Sequence, residues 1–185
     1  MGRPPETGRR AKTLESATDY VLEHGMANLS LRPLAAALGT STRMLLYDFG
    51  SKEQLVAAVL AEVRLREASL LADALRDALS SPADLIRGIW AWISDGERKP
   101  FLRLFFEVYM DAMTHPDAYE DGGRAMVSDW LERFSAAFRV VAAGHDDIDV
   151  TLVIAAVRGL LLDRLVTGDF QRTDKALEHF AALFE

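Results

Sequence analysis

The chain has 185 residues, half of them hydrophobic and only six of them proline, so it is long and apolar enough to bury a core. It contains no cysteine, which excludes disulfides, thiolate nucleophiles and cysteine-ligated metals. The net charge is −7, yet residues 1–55 sum to +1 and residues 56–185 to −8. Positive charge is therefore concentrated at the N-terminal end, where it either aids solubility or meets an anionic partner such as nucleic acid.

The chain begins with a basic segment and then a helix. Residues 1–9 are rich in Gly, Pro and Arg and predict a flexible arm, and they contain no apolar run typical of a signal peptide. Residues 10–23 predict the first helix, which His24 and Gly25 end. Arg10 and Lys12 lie near its start and are candidate phosphate contacts.

Two short helices joined by a tight turn are predicted next, as in a helix-turn-helix. Ser30 is a candidate N-cap, because its hydroxyl can accept a hydrogen bond from an amide of the first helical turn. Gly39 ends this helix, since a residue without a Cβ turns left-handed at low cost. The next helix begins at Thr40 or Ser41, either of which can cap it.

The second of these helices is predicted to have two different faces. Leu45 and Phe49 lie one turn apart and are expected to point into the core. The opposite face suits the major groove of DNA, where arginine can pair with guanine O6 and N7 and apolar groups can meet thymine methyls. That face carries Thr42, Arg43, Leu46 and Tyr47.

A long helix follows. Ser51 and Gln54 have the spacing of a capping box, and Lys52 beside the helix N-terminus predicts a phosphate clamp. The helical pattern then continues without Gly or Pro until Ser80, which predicts a lever between the N-terminal head and the rest of the chain.

These motifs resemble those of the TetR (tetracycline repressor) family of bacterial transcriptional regulators. The resemblance rests on the Ser-Leu-Arg-x-Leu-Ala-x-x-Leu-Gly run over residues 30–39 and on Phe-x-Ser-Lys-Glu over residues 49–53. It implies an all-α fold, with a three-helix DNA-binding head at residues 1–50 and a helical effector-binding and dimerisation body at residues 51–185. Leu46 stands where the family usually has Tyr, and Asp48 where it has His or Tyr. An acidic Asp48 repels phosphate unless it turns away or pairs.

The resulting hypothesis is DNA binding in which the face of the second short helix reads bases and the residues around it hold phosphates. Thr42, Arg43 and Leu46 are the predicted base readers. The full predicted set is Arg10, Lys12, Ser30, Arg32, Thr40, Ser41, Thr42, Arg43, Leu46, Tyr47 and Lys52.

Apolar periodicity predicts further helices over residues 82–95, 100–114, 124–142 and 149–167, and a last one from about 174 through Phe184. Aromatic and methionine side chains crowd three of them, and core packing explains most of these. The resemblance implies that some line a largely apolar cavity for a small-molecule effector. The candidates are Trp90, Arg103, Phe105, Phe106, Tyr109, Met110, Met113, Trp130 and Phe134.

The helix over residues 149–167 is apolar on more than one side, so a monomer would expose a large patch. The resemblance implies that this helix and the last one form a four-helix bundle with a second copy, which sets two heads on a near-palindromic operator. Asp163 and Arg164 are candidates for polar contacts at that seam. The predicted interface is Ile154, Val157, Leu161, Leu165, Leu177, Phe180 and Phe184.

Enzyme motifs such as a phosphate loop, His-Glu-x-x-His or Gly-x-Ser-x-Gly are missing from the sequence, so we expect no catalysis and no cofactor. Asp146, Asp147 and Asp149 are interpreted as caps of the following helix rather than as metal ligands. We expect a cytoplasmic, ligand-responsive repressor that binds DNA as a homodimer and does not engage a membrane. The alternative is a helical small-molecule-binding protein whose head contacts a protein partner.

Overall fold

The computed structural model describes residues 6–27, 29–74, 80–115, 124–141 and 148–185. Every regular element within these ranges is helical, which confirms the predicted all-α fold. No helix in the described ranges is both long and apolar enough to cross a membrane. The α-helices are α1 (Glu6–His24), α2 (Leu31–Ala37), α3 (Thr42–Phe49), α4 (Lys52–Ala74), α5 (Pro82–Ile93), α6 (Lys99–Thr114), α7 (Arg124–Val141), α8 (Val150–Thr167) and α9 (Phe170–Ala181).

The chain divides into two compact units. The first comprises the described parts of residues 1–68 and 100–123, and so holds α1 to α3, most of α4 and nearly all of α6. The apolar side chains that the sequence periodicity placed inward are buried in this unit and form its core. They include Val21, Leu34, Leu45, Leu55, Val59, Leu104 and Val108.

The second unit comprises the described parts of residues 69–99 and 124–185. Its α5 packs against α7 and α9, and α8 packs against the same two helices. Ser81 caps α5 by accepting a hydrogen bond from the amide of Asp84, and Pro82 occupies the first helical position, as predicted. The inward face of α5 consists of Leu85, Ile86, Ile89, Trp90 and Ile93.

Two aspartates cap the last helices. Asp149 accepts hydrogen bonds from the amides of Thr151 and Leu152, which confirms its predicted capping role, whereas Asp146 and Asp147 lie outside the described residues. Asp169 caps α9, which therefore begins at Phe170, several residues before the predicted start. Thr173 and Asp174, which the sequence predicts to precede this helix, lie inside it.

The first helix is longer than predicted. It begins at Glu6, so Arg9 is helical rather than part of a flexible arm, and residues 1–5 lie outside the described residues. The physical reason is tertiary, because Arg9 and Arg10 both form hydrogen bonds with α3 and so stabilise the first turns of α1.

Candidate nucleic-acid interface

The turn between α2 and α3 is built by one glycine and one serine. Gly39 has a φ of +63°, the left-handed conformation predicted from its position. Ser41 then caps α3, because its hydroxyl oxygen accepts a hydrogen bond from the amide of Met44 at 3.2 Å. These two residues fix where α3 begins and hence which of its side chains face outward.

The predicted division of the α3 faces is confirmed. Leu45 and Phe49 are 1% and 6% exposed and anchor the helix in the core, whereas Tyr47 is 68% exposed. Thr42, Arg43 and Leu46 are exposed as well, so the four predicted side chains share an outward surface. Arg43 forms no ion pair or hydrogen bond with any described residue, which leaves its guanidinium available for a base.

The start of α2 shows one difference from the prediction. Ser30 occupies the N-cap position, but its side chain makes no capping hydrogen bond. An N-cap hydroxyl accepts from the amide of the second or third helical residue, and the third one here is Pro33, which has no N–H. Ser30 and Arg32 are both exposed, so their side chains remain on the surface where phosphate contact was predicted.

The start of α4 has the predicted cap. The hydroxyl oxygen of Ser51 accepts a hydrogen bond from the amide of Gln54 at 3.1 Å, and Lys52 is exposed at the first helical position. Hydrogen bonds from its own backbone amide and from Ser51 lower the pKa of Glu53, so this carboxylate is held ionised at the helix N-terminus. Along the chain, Lys52 is the first cation of α4 after the end of α3.

Asp48, the acidic residue that departs from the family pattern, is paired. Its carboxylate accepts a hydrogen bond from Arg9 at 2.6 Å, and its side chain is only 7% exposed. Arg10 donates from Nε to the backbone carbonyl of Asp48 at 3.0 Å, and its guanidinium lies 5.0 Å from the ring centroid of Phe49. The sequence left open whether Asp48 turns away or pairs, and the structure shows that it pairs with Arg9. Sequence reasoning assigned Arg9 only to a basic arm and missed this role, although an acid on a helix predicted to face phosphate already required a partner.

A groove of about 400 Å³ lies between α1 and the α2–α3 turn. Lys12 and Thr40, two members of the predicted DNA-contact set, line it together. Lys12 is exposed and forms no ion pair with the described residues. The groove therefore brings Lys12 of α1 next to the turn that precedes α3. The remaining lining residues are Gly8, Arg9, Thr13, Ser16 and Leu38.

The predicted effector residues are divided between the two units, and each group is described separately. In the first unit, Phe105 stacks on Tyr109 with ring centroids 5.8 Å apart and meets Phe106 edge-on at 5.3 Å. Met110 and Met113, on the same helix, are exposed. These α6 side chains form one aromatic and methionine surface.

In the second unit the predicted effector residues are buried. Trp90 donates from its indole Nε1 to Asp174 at 2.8 Å, which ties α5 to α9. Trp130 stacks on Phe134 with a centroid distance of 5.6 Å, and Trp92 lies 6.1 Å from Trp130. These contacts are the ordinary packing of a helical core. Effector contact by Trp90, Trp130 and Phe134 therefore stays a prediction.

Arg103 makes a contact that the sequence did not predict. Its guanidinium donates to the backbone carbonyls of Leu22 and Glu23 at 3.4 and 2.7 Å, at the C-terminal end of α1. Those carbonyls have no partner within the helix, so Arg103 caps α1 from α6. Its predicted place as a polar group of the effector site remains untested by this contact.

Three residues of the predicted dimer interface pack the protomer's own core. Val157, Leu161 and Leu177 are buried, so they leave no surface for a partner. Ile154, Leu165, Phe180 and Phe184 are partly exposed. Since a helix with apolar residues all round must split them between two environments, the outward-facing apolar side chains are a different set. They are Leu152, Leu162, Val166, Phe170 and Leu183.

Asp163 and Arg164, predicted at the dimer seam, both form ion pairs within the protomer. Arg172 donates to the two carboxylate oxygens of Asp163 at 2.6 and 2.7 Å, and this pairing lowers the pKa of Asp163. Arg164 donates to Asp174 at 2.7 Å. Both partners lie on the first turns of α9, and the predicted role of Asp163 and Arg164 at the dimer seam stays a prediction.

Comparisons with known proteins show which sequences and folds this chain resembles. Residues 14–59 match the family model described as bacterial regulatory proteins, tetR family. A protein from Rhodococcus sp. described as a TetR-family transcriptional regulator superposes with a TM-score of 0.74 at 18% identity, over 96% of this chain and 98% of that chain. A TetR transcriptional regulator from Legionella pneumophila gives 0.69 at 20% identity, over the whole of both chains.

A third solved structure is the multidrug binding protein EbrR complexed with imidazole. It superposes with a TM-score of 0.70 at 24% identity, over 96% of this chain and 90% of that chain. At these identities the structural likeness shows the fold. No curated protein matches this chain in sequence. The resemblance to the TetR family predicted from the residues is thus confirmed, by the family model over residues 14–59 and by the fold of the chain.

Proposed function

We propose that this protein, which carries the N-terminal domain of TetR-family regulators and shares their fold, is a transcriptional repressor that binds a near-palindromic operator as a homodimer. The observation that carries the proposal is the exposed face of α3, where Thr42, Arg43 and Leu46 point outward while Leu45 and Phe49 hold the helix from behind. An arginine that pairs with no described residue on such a helix is the group that reads guanine.

Phosphate contacts are assigned to the residues around this face. Lys52 at the start of α4 and Lys12 on α1 lie on either side of α3 in the sequence and both are exposed. Charge at these positions supplies affinity that depends on salt but not on base sequence. The proposal assigns the protein no catalytic step.

The deciding experiment is selection of bound fragments from a pool of random DNA by the purified full-length protein. We expect enrichment of one motif with two half-sites related by a twofold axis. A gel-shift assay with the winning fragment and a scrambled fragment of equal length then measures specificity. A pool that remains random after repeated rounds would refute the proposal and favour the alternative, in which the head contacts a protein partner.

We further propose that a largely apolar small molecule regulates the protein. EbrR has been solved with imidazole and with proflavin, and α6 of this chain carries the Phe105, Phe106 and Tyr109 aromatic group. Aromatic and methionine surfaces suit flat apolar ligands. The test is titration of the operator complex with proflavin as a probe. Regulation is supported if proflavin releases the operator at concentrations that do not change the signal of a scrambled-DNA control. An operator complex that stays unchanged at saturating proflavin contradicts regulation by this class of ligand.

A further inference from the structure

We propose that Arg9 is a positioning residue for α3, the proposed reading helix. The ion pair of Arg9 with Asp48 fixes the last turn of α3, and Arg9 does not hold a DNA phosphate. This inference rests on the proposed function, because it concerns how α3 is held for DNA. It concerns a residue of the basic N-terminal segment, where the charge pattern predicts phosphate contacts. Each of the contacts that lead to it lies within the first compact unit.

The first argument is the burial of the Asp48 side chain, which is only 7% exposed. The carboxylate of Asp48 is 2.6 Å from Arg9 and receives its only ion pair among the described residues from that side chain. An ionised group removed from water needs such a partner, and loss of the partner leaves an uncompensated charge. Arg9 is therefore required for Asp48 to remain in its present orientation.

The second argument is the position of Asp48 on α3. It lies three residues after Leu45 and directly before Phe49, so it belongs to the inward side of the helix, opposite to Arg43. Arg9 also approaches Met44, with Nη1 4.0 Å from the sulfur, and its guanidinium lies 5.9 Å from the Tyr47 ring centroid. One side chain thus contacts two successive turns of the reading helix.

The third argument is that Arg10 reinforces the same turn. Its Nε donates to the carbonyl of Asp48, one of the terminal carbonyls of α3 that have no partner inside the helix. A cation there also interacts favourably with the helix dipole. The first turns of α1 are consequently fastened to the last turn of α3 through two arginines.

A residue that orients a helix and a residue that binds phosphate have different signatures. The bidentate pairing of Arg43 with a base requires that α3 keep its angle, whereas nonspecific binding depends on the number of neutralised phosphates. Because Arg9 and Asp48 cancel each other's charge, removing both charges together should affect operator binding and leave nonspecific binding nearly unchanged, whereas removing Arg9 alone leaves the charge of Asp48 uncompensated.

The experiment compares Arg9→Gln, Asp48→Asn and the double variant, with Arg139→Gln as the control for an exposed arginine elsewhere. Affinity for the selected operator and for random DNA is measured across a range of salt concentrations. We expect each single variant to weaken operator binding about tenfold, with the double variant no worse than either single, because both remove the same contact. Random-DNA affinity and its salt slope should stay unchanged in the double variant, which keeps the net charge, and Arg9→Lys should restore part of the loss of operator binding that Arg9→Gln causes.

Two results would overturn the inference. Equal weakening of the double variant on both DNAs, with the salt slope reduced by about 0.9, would make Arg9 a phosphate ligand. An unaltered operator affinity in Asp48→Asn would mean that the ion pair does not position α3. Thermal unfolding of the wild type, the two single variants and the double variant without DNA measures the coupling of the two residues separately. Wild-type protein that selects no DNA would remove the proposed function and the positioning role together, while this coupling would still report whether the ion pair forms.

Discussion

The carboxylate of Glu107 accepts a hydrogen bond from the backbone amide of Met26 at 2.7 Å, across 81 residues of sequence. Gly25 precedes that amide with a φ of +79°, and a Cβ built on it would lie 2.8 Å from the same carboxylate. The turn that ends α1 is therefore closed by a side chain of α6, next to the carbonyls that Arg103 caps. Two side chains one turn apart on α6 satisfy both the free amide and the free carbonyls at this turn.

This contact predicts a specific loss of stability. Glu107→Ala leaves the amide of Met26 without its partner and should cost about 1–3 kcal/mol of unfolding free energy. Glu107→Gln keeps a carbonyl oxygen as acceptor and should cost less. Chemical denaturation of the three proteins measures the difference. Equal losses in both variants would show that the charge of Glu107, rather than the hydrogen bond to Met26, stabilises the turn.

Arg43 is predicted to read a base. Arg43→Ala should cost roughly 1–3 kcal/mol of operator binding and relax the preference at one position of each half-site, because a bidentate contact to guanine is lost. Competition binding with operators substituted at each position locates the affected base pair. Arg139→Ala, which removes an exposed arginine from α7, is the matched control. Equal weakening on operator and random DNA would contradict a base-reading role for Arg43.

Lys52 is predicted to hold a phosphate at the N-terminus of α4. Lys52→Ala should weaken binding to operator and random DNA alike and reduce the slope of log affinity against log salt by about 0.9, because one fewer counterion is released. Fluorescence anisotropy over a salt series measures the slope. Lys175→Ala, at an exposed position on α9, provides the control. A slope identical to that of the wild type would exclude the contact.

The outward apolar side chains of α8 are predicted to form the dimer interface. Val166 is 78% exposed, so Val166→Glu places a charge on this surface without disturbing the protomer core and should produce monomers. Val140 on α7 is 67% exposed, and Val140→Glu should leave the dimer intact. Sedimentation equilibrium distinguishes the two species. A Val166→Glu protein that stays dimeric would move the interface elsewhere.

The ion pair between Asp163 and Arg172 predicts a pH dependence of stability. Arg172 lowers the pKa of Asp163 from its ordinary value of 3.8, so the folded protein binds this proton more weakly than the unfolded chain. The stabilisation is fully present above the unfolded pKa and is lost as the pH falls through the lowered folded pKa. The Tm difference between wild type and Asp163→Asn should therefore be largest near neutral pH and shrink below pH 3.8. A difference that persists unchanged in strong acid would contradict the assignment.

Much of the reading helix could be predicted from local sequence. The spacing of Leu45 and Phe49 identified the buried face, and Gly39 and Ser41 identified the turn and the cap, because each of these signals acts within one or two helical turns. Ser30 also occupies its predicted N-cap position. Its missing hydrogen bond is explained by Pro33, which has no N–H to donate at the third helical position.

The features that the sequence left undecided have a different physical cause. The sequence showed that α8 is apolar on several sides but not which side its own core covers, and Val157 and Leu161 turned out to be inside. The early start of α9 at Phe170 similarly gave Asp163 a partner, Arg172, within the protomer. Periodicity reports how many faces of a helix are apolar, whereas the packing of neighbouring helices decides which environment each face meets.

The amino-acid sequence by itself determined the helical fold, the helix-turn-helix with Arg43 facing outward, and the segregation of positive charge to the N-terminal end. Tertiary structure alone decided that Arg9 pairs with Asp48 and that Glu107 closes the turn at Met26. The physical reason is distance along the chain. Helix periodicity and capping are set by residues three or four apart, while these two contacts join residues that only folding brings together.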